Sequence, residues 1–138
     1  MKPQYIFAIA MFVGIAIAVA FIAPRPHLTL RPYWERHCAG RAWRRTFPSA
    51  PRQDIRRFLT LFVDAFGFSD AHMLKFAPTD RVYEIYKAAN PAEGWPDALE
   101  LETLDMRLKA TYGMELRAIW SQSLTLGELF ARSSKLVA

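Results

Sequence analysis

His37 and Cys38 stand side by side, the two residue types that a thiol nucleophile and its general base require. Neighbours in sequence point in different directions on a helix or a strand, so this pair cannot make the hydrogen bond a dyad needs. His27, His37 and His72 are too scattered for a metal site, and neither HExxH nor CxxC spacing occurs. An enzyme would need distant groups such as Asp54, Asp64, His72 and Asp80 to converge, which nothing in their spacing dictates. Two charged constellations remain. Asp97, Glu100, Glu102 and Asp105 crowd into one short acidic stretch. Earlier, arginines interleave with Tyr33, Trp34, Trp43 and Phe47, a composition that suits anionic headgroups or, alternatively, stacked single-stranded nucleic acid. The expectation is a non-enzymatic chain with no catalytic residues, no metal and no cofactor.

The distribution of charge decides which elements carry these groups. The chain has 138 residues, 18 Lys+Arg against 13 Asp+Glu, and a formal net charge of +5. Residues 1–57 hold ten basic and only two acidic side chains, whereas residues 58–138 hold eight basic and eleven acidic ones. The basicity therefore belongs to the N-terminal part and does not mark the C-terminal part as a nucleic-acid binder. One cysteine excludes a disulfide scaffold.

Residues 5–23 contain no charge, and at about 1.5 Å per residue they make a helix of roughly 28 Å, enough to cross a hydrocarbon core of about 30 Å. Tyr5 supplies an interfacial aromatic, and Pro24 and Pro26 stop the helix. A cleaved signal peptide is the competing explanation, because Ala18-Val19-Ala20 has the small-x-small form of a cleavage site. The arginines follow the apolar run while only Lys2 precedes it, which favours an uncleaved anchor with the remainder of the chain in the cytoplasm. Residues 1–24 are thus expected as a transmembrane anchor and residues 25–50 as a basic juxtamembrane connector on lipid headgroups. Nucleic acid is not an expected partner, since the adjacent span already accounts for the charge.

From Ser49 the apolar residues recur with helical spacing. Ile55, Phe58, Leu59, Phe62, Val63 and Phe66 form one stripe, with Ser49 as a cap, Pro51 in the first turn and Gly67 at the end. Met73, Leu74 and Phe76 predict a short turn packed on the core. Thr79-Asp80 can open a helix bearing Val82, Ile85 and Tyr86, which Asn90-Pro91 terminates. Asp97 with Glu100 reads as a capping box for a helix carrying Leu101, Leu104 and Leu108 and ending at Gly113. Thr125 with Glu128 is a second box, opening a helix with Leu126, Leu129 and Phe130 inward. The fold expected for residues 51–138 is all-α, a four-helix cluster around one modest core.

These motifs, in this order, resemble the acyl carrier protein family over about residues 52–134. Asp97-Ala98-Leu99 stands where that family has Asp-Ser-Leu, Tyr112-Gly113-Met114-Glu115-Leu116 resembles its turn after the second helix, and Leu124-Thr125-Leu126-Gly127-Glu128-Leu129 resembles the opening of its last helix. The resemblance implies a carrier-like four-helix bundle, with an insertion around residues 86–96. It departs where the family's chemistry resides: Ala98 occupies the position of the phosphopantetheine-bearing serine and has no hydroxyl to modify. What the resemblance then implies is a serine-less, carrier-like bacterial protein that docks a basic patch on a partner through Asp97, Glu100, Glu102 and Asp105, with Trp95 as an aromatic anchor, at the inner (cytoplasmic) membrane. Complementing the helix dipole explains the same acids equally well, and Trp95 can instead cap the end of the bundle. An active carrier modified at another serine is the alternative function.

Overall fold

The long apolar stripe on residues 52–66 organises the molecule. In the computed structural model, which describes residues 9–15, 26–91 and 99–137, this stripe lies on a fourteen-residue helix whose Ile55, Phe58, Leu59, Phe62 and Val63 are all buried. The described residues are all-helical, with no strand among them. In chain order the helices are α1 (Pro26–Trp34), α2 (Gly40–Thr46), α3 (Arg52–Ala65), a 3-10 helix (Asp70–Lys75), α4 (Val82–Ala89), α5 (Leu99–Tyr112), the one-turn α6 (Leu116–Ile119) and α7 (Leu126–Val137). Helix α3 packs against the 3-10 helix on one side and α5 on another, while α5 also touches α6 and α7.

Local signals act as the sequence dictates at several boundaries. Gly67 and Gly113 have φ of +70° and +68°, the left-handed conformation that ends α3 and α5 without a Cβ penalty. The box at the start of α7 closes in both directions: Thr125 N–H donates to Glu128 Oε2 at 2.9 Å, and Glu128 N–H donates to Thr125 Oγ1 at 3.2 Å. Ser69 caps the 3-10 helix by accepting from Ala71 N–H at 3.3 Å.

Other boundaries differ from expectation. Pro51, not Ser49, is the N-cap of α3 and supplies no side-chain acceptor. Arg81, not Asp80, precedes α4; the Asp80 carboxylate instead accepts from Ala77 N–H at 2.7 Å and from Arg36 at 2.6 Å. Its backbone carbonyl accepts from Leu126 N–H, and Val82 N–H donates to Leu124 C=O at 3.0 Å, so the start of α4 is tied to the start of α7 by an isolated β-bridge between Arg81 and Thr125. Gly127 is needed at that junction, because a Cβ there would stand 2.9 Å from the Pro78 carbonyl oxygen.

The largest departure concerns residues 25–50, expected as a connector. Trp43 is 1% exposed, and its indole N–H donates to the Phe76 carbonyl at 2.8 Å. Leu30 is buried, α1 packs on α4, and Thr29 donates to the Ala88 carbonyl. Trp34 stacks on His72 at 4.0 Å and meets Phe68 and Phe76 edge-on, while Phe47 packs between Trp43 and Phe130. The physical reason is area: a modest core gains about 1.5–3 kcal/mol from each large side chain it covers, and these aromatics are the nearest supply. They belong to the fold.

Only residues 9–15 of the apolar run are described; they are helical, with Ile9, Met11, Phe12, Val13 and Ile15 all exposed. No helix among the described residues is long and apolar enough to cross a membrane.

Candidate functional site: the α5–α6 face

Helix α5 carries the acidic cluster. Leu104 and Leu108, one turn apart, are fully buried and fix which face turns to the core. The opposite face then carries Leu99 and Met106, 60% and 65% exposed, two turns apart with the exposed Glu102 between them. Among the described residues from Pro26 onward, Leu99 and Met106 are the two most exposed large apolar side chains, and they flank a carboxylate.

Beside this stripe lies a shallow groove of about 230 Å³ between α5 and α6, lined by Leu101, Glu102, Asp105, Leu116, Arg117 and Trp120. Trp120 is held there by an edge-on contact with Tyr83 of α4, centroids 6.4 Å apart. The groove therefore joins an apolar floor, two acids and an aromatic wall, with Arg117 as its one basic residue. The place of Trp120 at the acidic face depends on the packing of α4, and no local signal carries it.

The four expected acids separate into different jobs. Glu102 is exposed and free to meet a partner, and Glu100 is half-buried in the first turn of α5. Asp105 is engaged: its carboxylate accepts from Leu116 N–H at 2.7 Å and so caps α6 from eleven residues away. Asp97 lies outside the described residues, as do Trp95 and Ala98. Lys109 pairs with Glu115 at 3.1 Å across the turn after α5, and Arg107 lies 3.8 Å from Asp64 of α3, so the bases on this helix are already occupied.

The polar groups singled out for an enzyme each have their own neighbours. Asp80 is bound to Arg36 and Ala77, and His72 is stacked on Trp34. Burial lifts the Tyr112 phenol above its ordinary value, with the charge of Arg57 opposing that rise and the charge of Asp54 adding to it. Asp64 is close to Asp70, and the repulsion between them raises the Asp70 carboxyl above its ordinary value. Cys38 is exposed, and its sulfur accepts from Gly40 N–H at 3.4 Å. Among the described residues no group of three or more His, Cys, Asp or Glu side chains could hold a metal ion. No family model, curated protein or solved structure matches this chain.

Proposed function

We propose that this chain is a non-enzymatic, membrane-anchored docking module. Its α5 face binds a partner protein that presents a basic patch next to an apolar contact. The observation that carries this is the exposed stripe Leu99–Glu102–Met106 beside the Trp120 groove. An apolar pair around a charge, next to an aromatic wall, is the composition of a binding surface with a desolvated centre and a charged rim.

The carrier-like scaffold without its arm is part of the same proposal. Supporting it are the motifs that carry the resemblance standing in its order, with Gly67 ending α3, Gly113 ending α5 and the Thr125–Glu128 box opening α7, and the alanine at position 98. For the anchor, the support is the uncharged run 5–23, together with the five exposed apolar side chains on its helical residues 9–15. Arginines following that run, rather than preceding it, support a single-pass chain in a bacterial inner membrane with its helical domain on the cytoplasmic side. Tethering would concentrate the partner at the bilayer without any new contact.

The test is affinity capture with the full chain from detergent-solubilised membranes. Glu102→Lys with Met106→Glu should reduce recovery of the specific partner by at least tenfold and weaken its salt dependence. Glu84→Lys, on α4, should leave recovery unchanged. Equal recovery from all three chains refutes docking through α5.

A further inference from the structure

A second concave site carries charge of one sign only. Where the loop at residues 35–39 meets α2 and the start of α3, a pocket of about 190 Å³ presents Arg44, Arg52 and Arg56 over a floor of Trp43, Ile55 and Leu74, with Cys38 also on its wall. No carboxylate lines it. None of the three guanidiniums enters an ion pair among the described residues.

The walls of this pocket are fixed by the core beneath it. Arg52, Ile55 and Arg56 follow one another at i, i+3 and i+4, so burial of Ile55 holds both arginines on one face of α3. Arg44 is positioned by its neighbour Trp43, locked by burial and by its bond to Phe76. The loop bearing Cys38 is pinned by Ala39 N–H donating to the Leu74 carbonyl at 2.7 Å. Charge here runs against helix stability: Arg52 opens α3 at the positive end of its dipole, and Pro51 offers no capping oxygen. The acid of that first turn, Asp54, does not line the pocket. Three guanidiniums with no ion-pair partner among the described residues line a concavity at a helix N-terminus, and guanidinium matches phosphate oxygens in a bidentate fork.

We propose that this pocket holds the phosphate of an anionic lipid headgroup and so fastens the helical domain to the bilayer surface. The occupant follows from chain length. Ala23 ends the uncharged run fifteen residues before Cys38, with the nine residues of α1 between them. Even a fully extended remainder keeps the pocket within about 35 Å of the membrane. The choice of a lipid therefore rests on the anchor proposed above, whereas the affinity for phosphate does not.

Cys38 is the only cysteine and is exposed, so its alkylation by a maleimide reports whether the pocket is filled. The full chain is reconstituted with phosphatidylcholine vesicles, with and without phosphatidylglycerol, and flotation and alkylation rate are both measured. Phosphatidylglycerol should slow alkylation at least fivefold. Arg44→Gln with Arg52→Gln and Arg56→Gln should abolish that protection, and Arg56→Gln alone should weaken it about fivefold, the usual share of one arginine at an anionic surface. The charge-matched Arg81→Gln, Arg132→Gln, Lys135→Gln chain should remain protected. Absence of protection, or its equal loss in the charge-matched chain, overturns the proposal. So does equal protection by inorganic phosphate with phosphatidylcholine alone, or protection by a single-stranded oligonucleotide and not by lipid. A chain that floats with phosphatidylcholine yet is never protected keeps the anchor and refutes the pocket. One that floats only with phosphatidylglycerol, through the three arginines, keeps the pocket and refutes the anchor; one that floats with neither refutes both.

Discussion

Replacing Trp43 by Phe tests whether residues 26–47 belong to the folded core. The substitution keeps an aromatic ring, and with it the contacts to Phe47, Phe58 and Phe130, whose centroids lie 5.9, 6.2 and 5.9 Å away. It removes the indole N–H that reaches the Phe76 carbonyl at 2.8 Å. Phe76 is fully buried, so water cannot replace that donor, and an unmet buried acceptor costs about 1–3 kcal/mol. The missing half of the indole leaves a void at a site 1% exposed. Complete removal of a buried Trp costs about 3–5 kcal/mol, and with Phe filling most of the space about 1–2 kcal/mol of that applies here. The two losses together give about 2–5 kcal/mol. Denaturant unfolding of the full chain in neutral detergent, followed by far-ultraviolet circular dichroism, measures it without relying on tryptophan emission. Trp34→Phe is the control: it keeps a ring against His72 and lies only half-buried, so it should cost about 1 kcal/mol or less. A Trp43→Phe loss below about 0.5 kcal/mol, equal to that of a surface substitution, would refute the placement of α2 in the core.

Gly127→Ala should destabilise the chain by about 1–3 kcal/mol despite the better helix propensity of alanine, because the new Cβ would press on the Pro78 carbonyl oxygen at 2.9 Å and disturb the Gly127 N–H bond to it; thermal melts check this. Asp105→Ala should cost about 0.5–2 kcal/mol through loss of the cap on Leu116 N–H, so a docking defect in that variant counts only after its melting temperature is known. The raised carboxyl of Asp70 makes a third case, since in the folded chain it holds its proton to higher pH than the ordinary 3.8. The repulsion from Asp64 is therefore a destabilisation present at neutral pH and relieved as pH falls through the raised value. Asp70→Asn should stabilise at pH 7 and make no difference below the ordinary value, as denaturant titrations at the two pH values will show. Intact mass after co-expression with a phosphopantetheinyl transferase should be unchanged, with Ala98 in the expected position and Ser133 fully buried against Phe130; a mass increase would restore the active-carrier alternative.

What the sequence made legible was local. The stripe on α3, the two left-handed glycines and the Thr125–Glu128 box each depend on residues within a turn or two of one another. Asp80 looked like a helix cap because Asp is a good one, but its carboxylate finds Arg36, forty-four residues back, and Ala77. Asp105 looked like a docking acid and serves as a cap for α6. Trp120 packs at the groove against Tyr83 of α4, thirty-seven residues back. In each case the winning partner is set by tertiary packing, which outweighs the local preference of one side chain and leaves no periodic trace.

Residues 25–50 show why composition misled. Arginine and aromatics in alternation are what a headgroup-bound segment needs, and they are equally what a short helical segment needs when one side covers a core and the other faces water. Helix α2 resolves the two alphabets by geometry: Trp43 goes inward while Arg41, Arg44 and Arg45 remain exposed. The aromatic half then contributes stability and the cationic half is left for the bilayer, so the two should separate by mutation. Arg44→Gln should weaken the protection of Cys38 by anionic vesicles about fivefold while shifting the unfolding free energy by no more than about 0.5 kcal/mol. Phe47→Ala, outside the pocket lining, should do the reverse at temperatures where the variant stays folded. If both substitutions weakened that protection and stability together, the segment would not be divided this way, and its arginines would have to be counted as part of the core's own support.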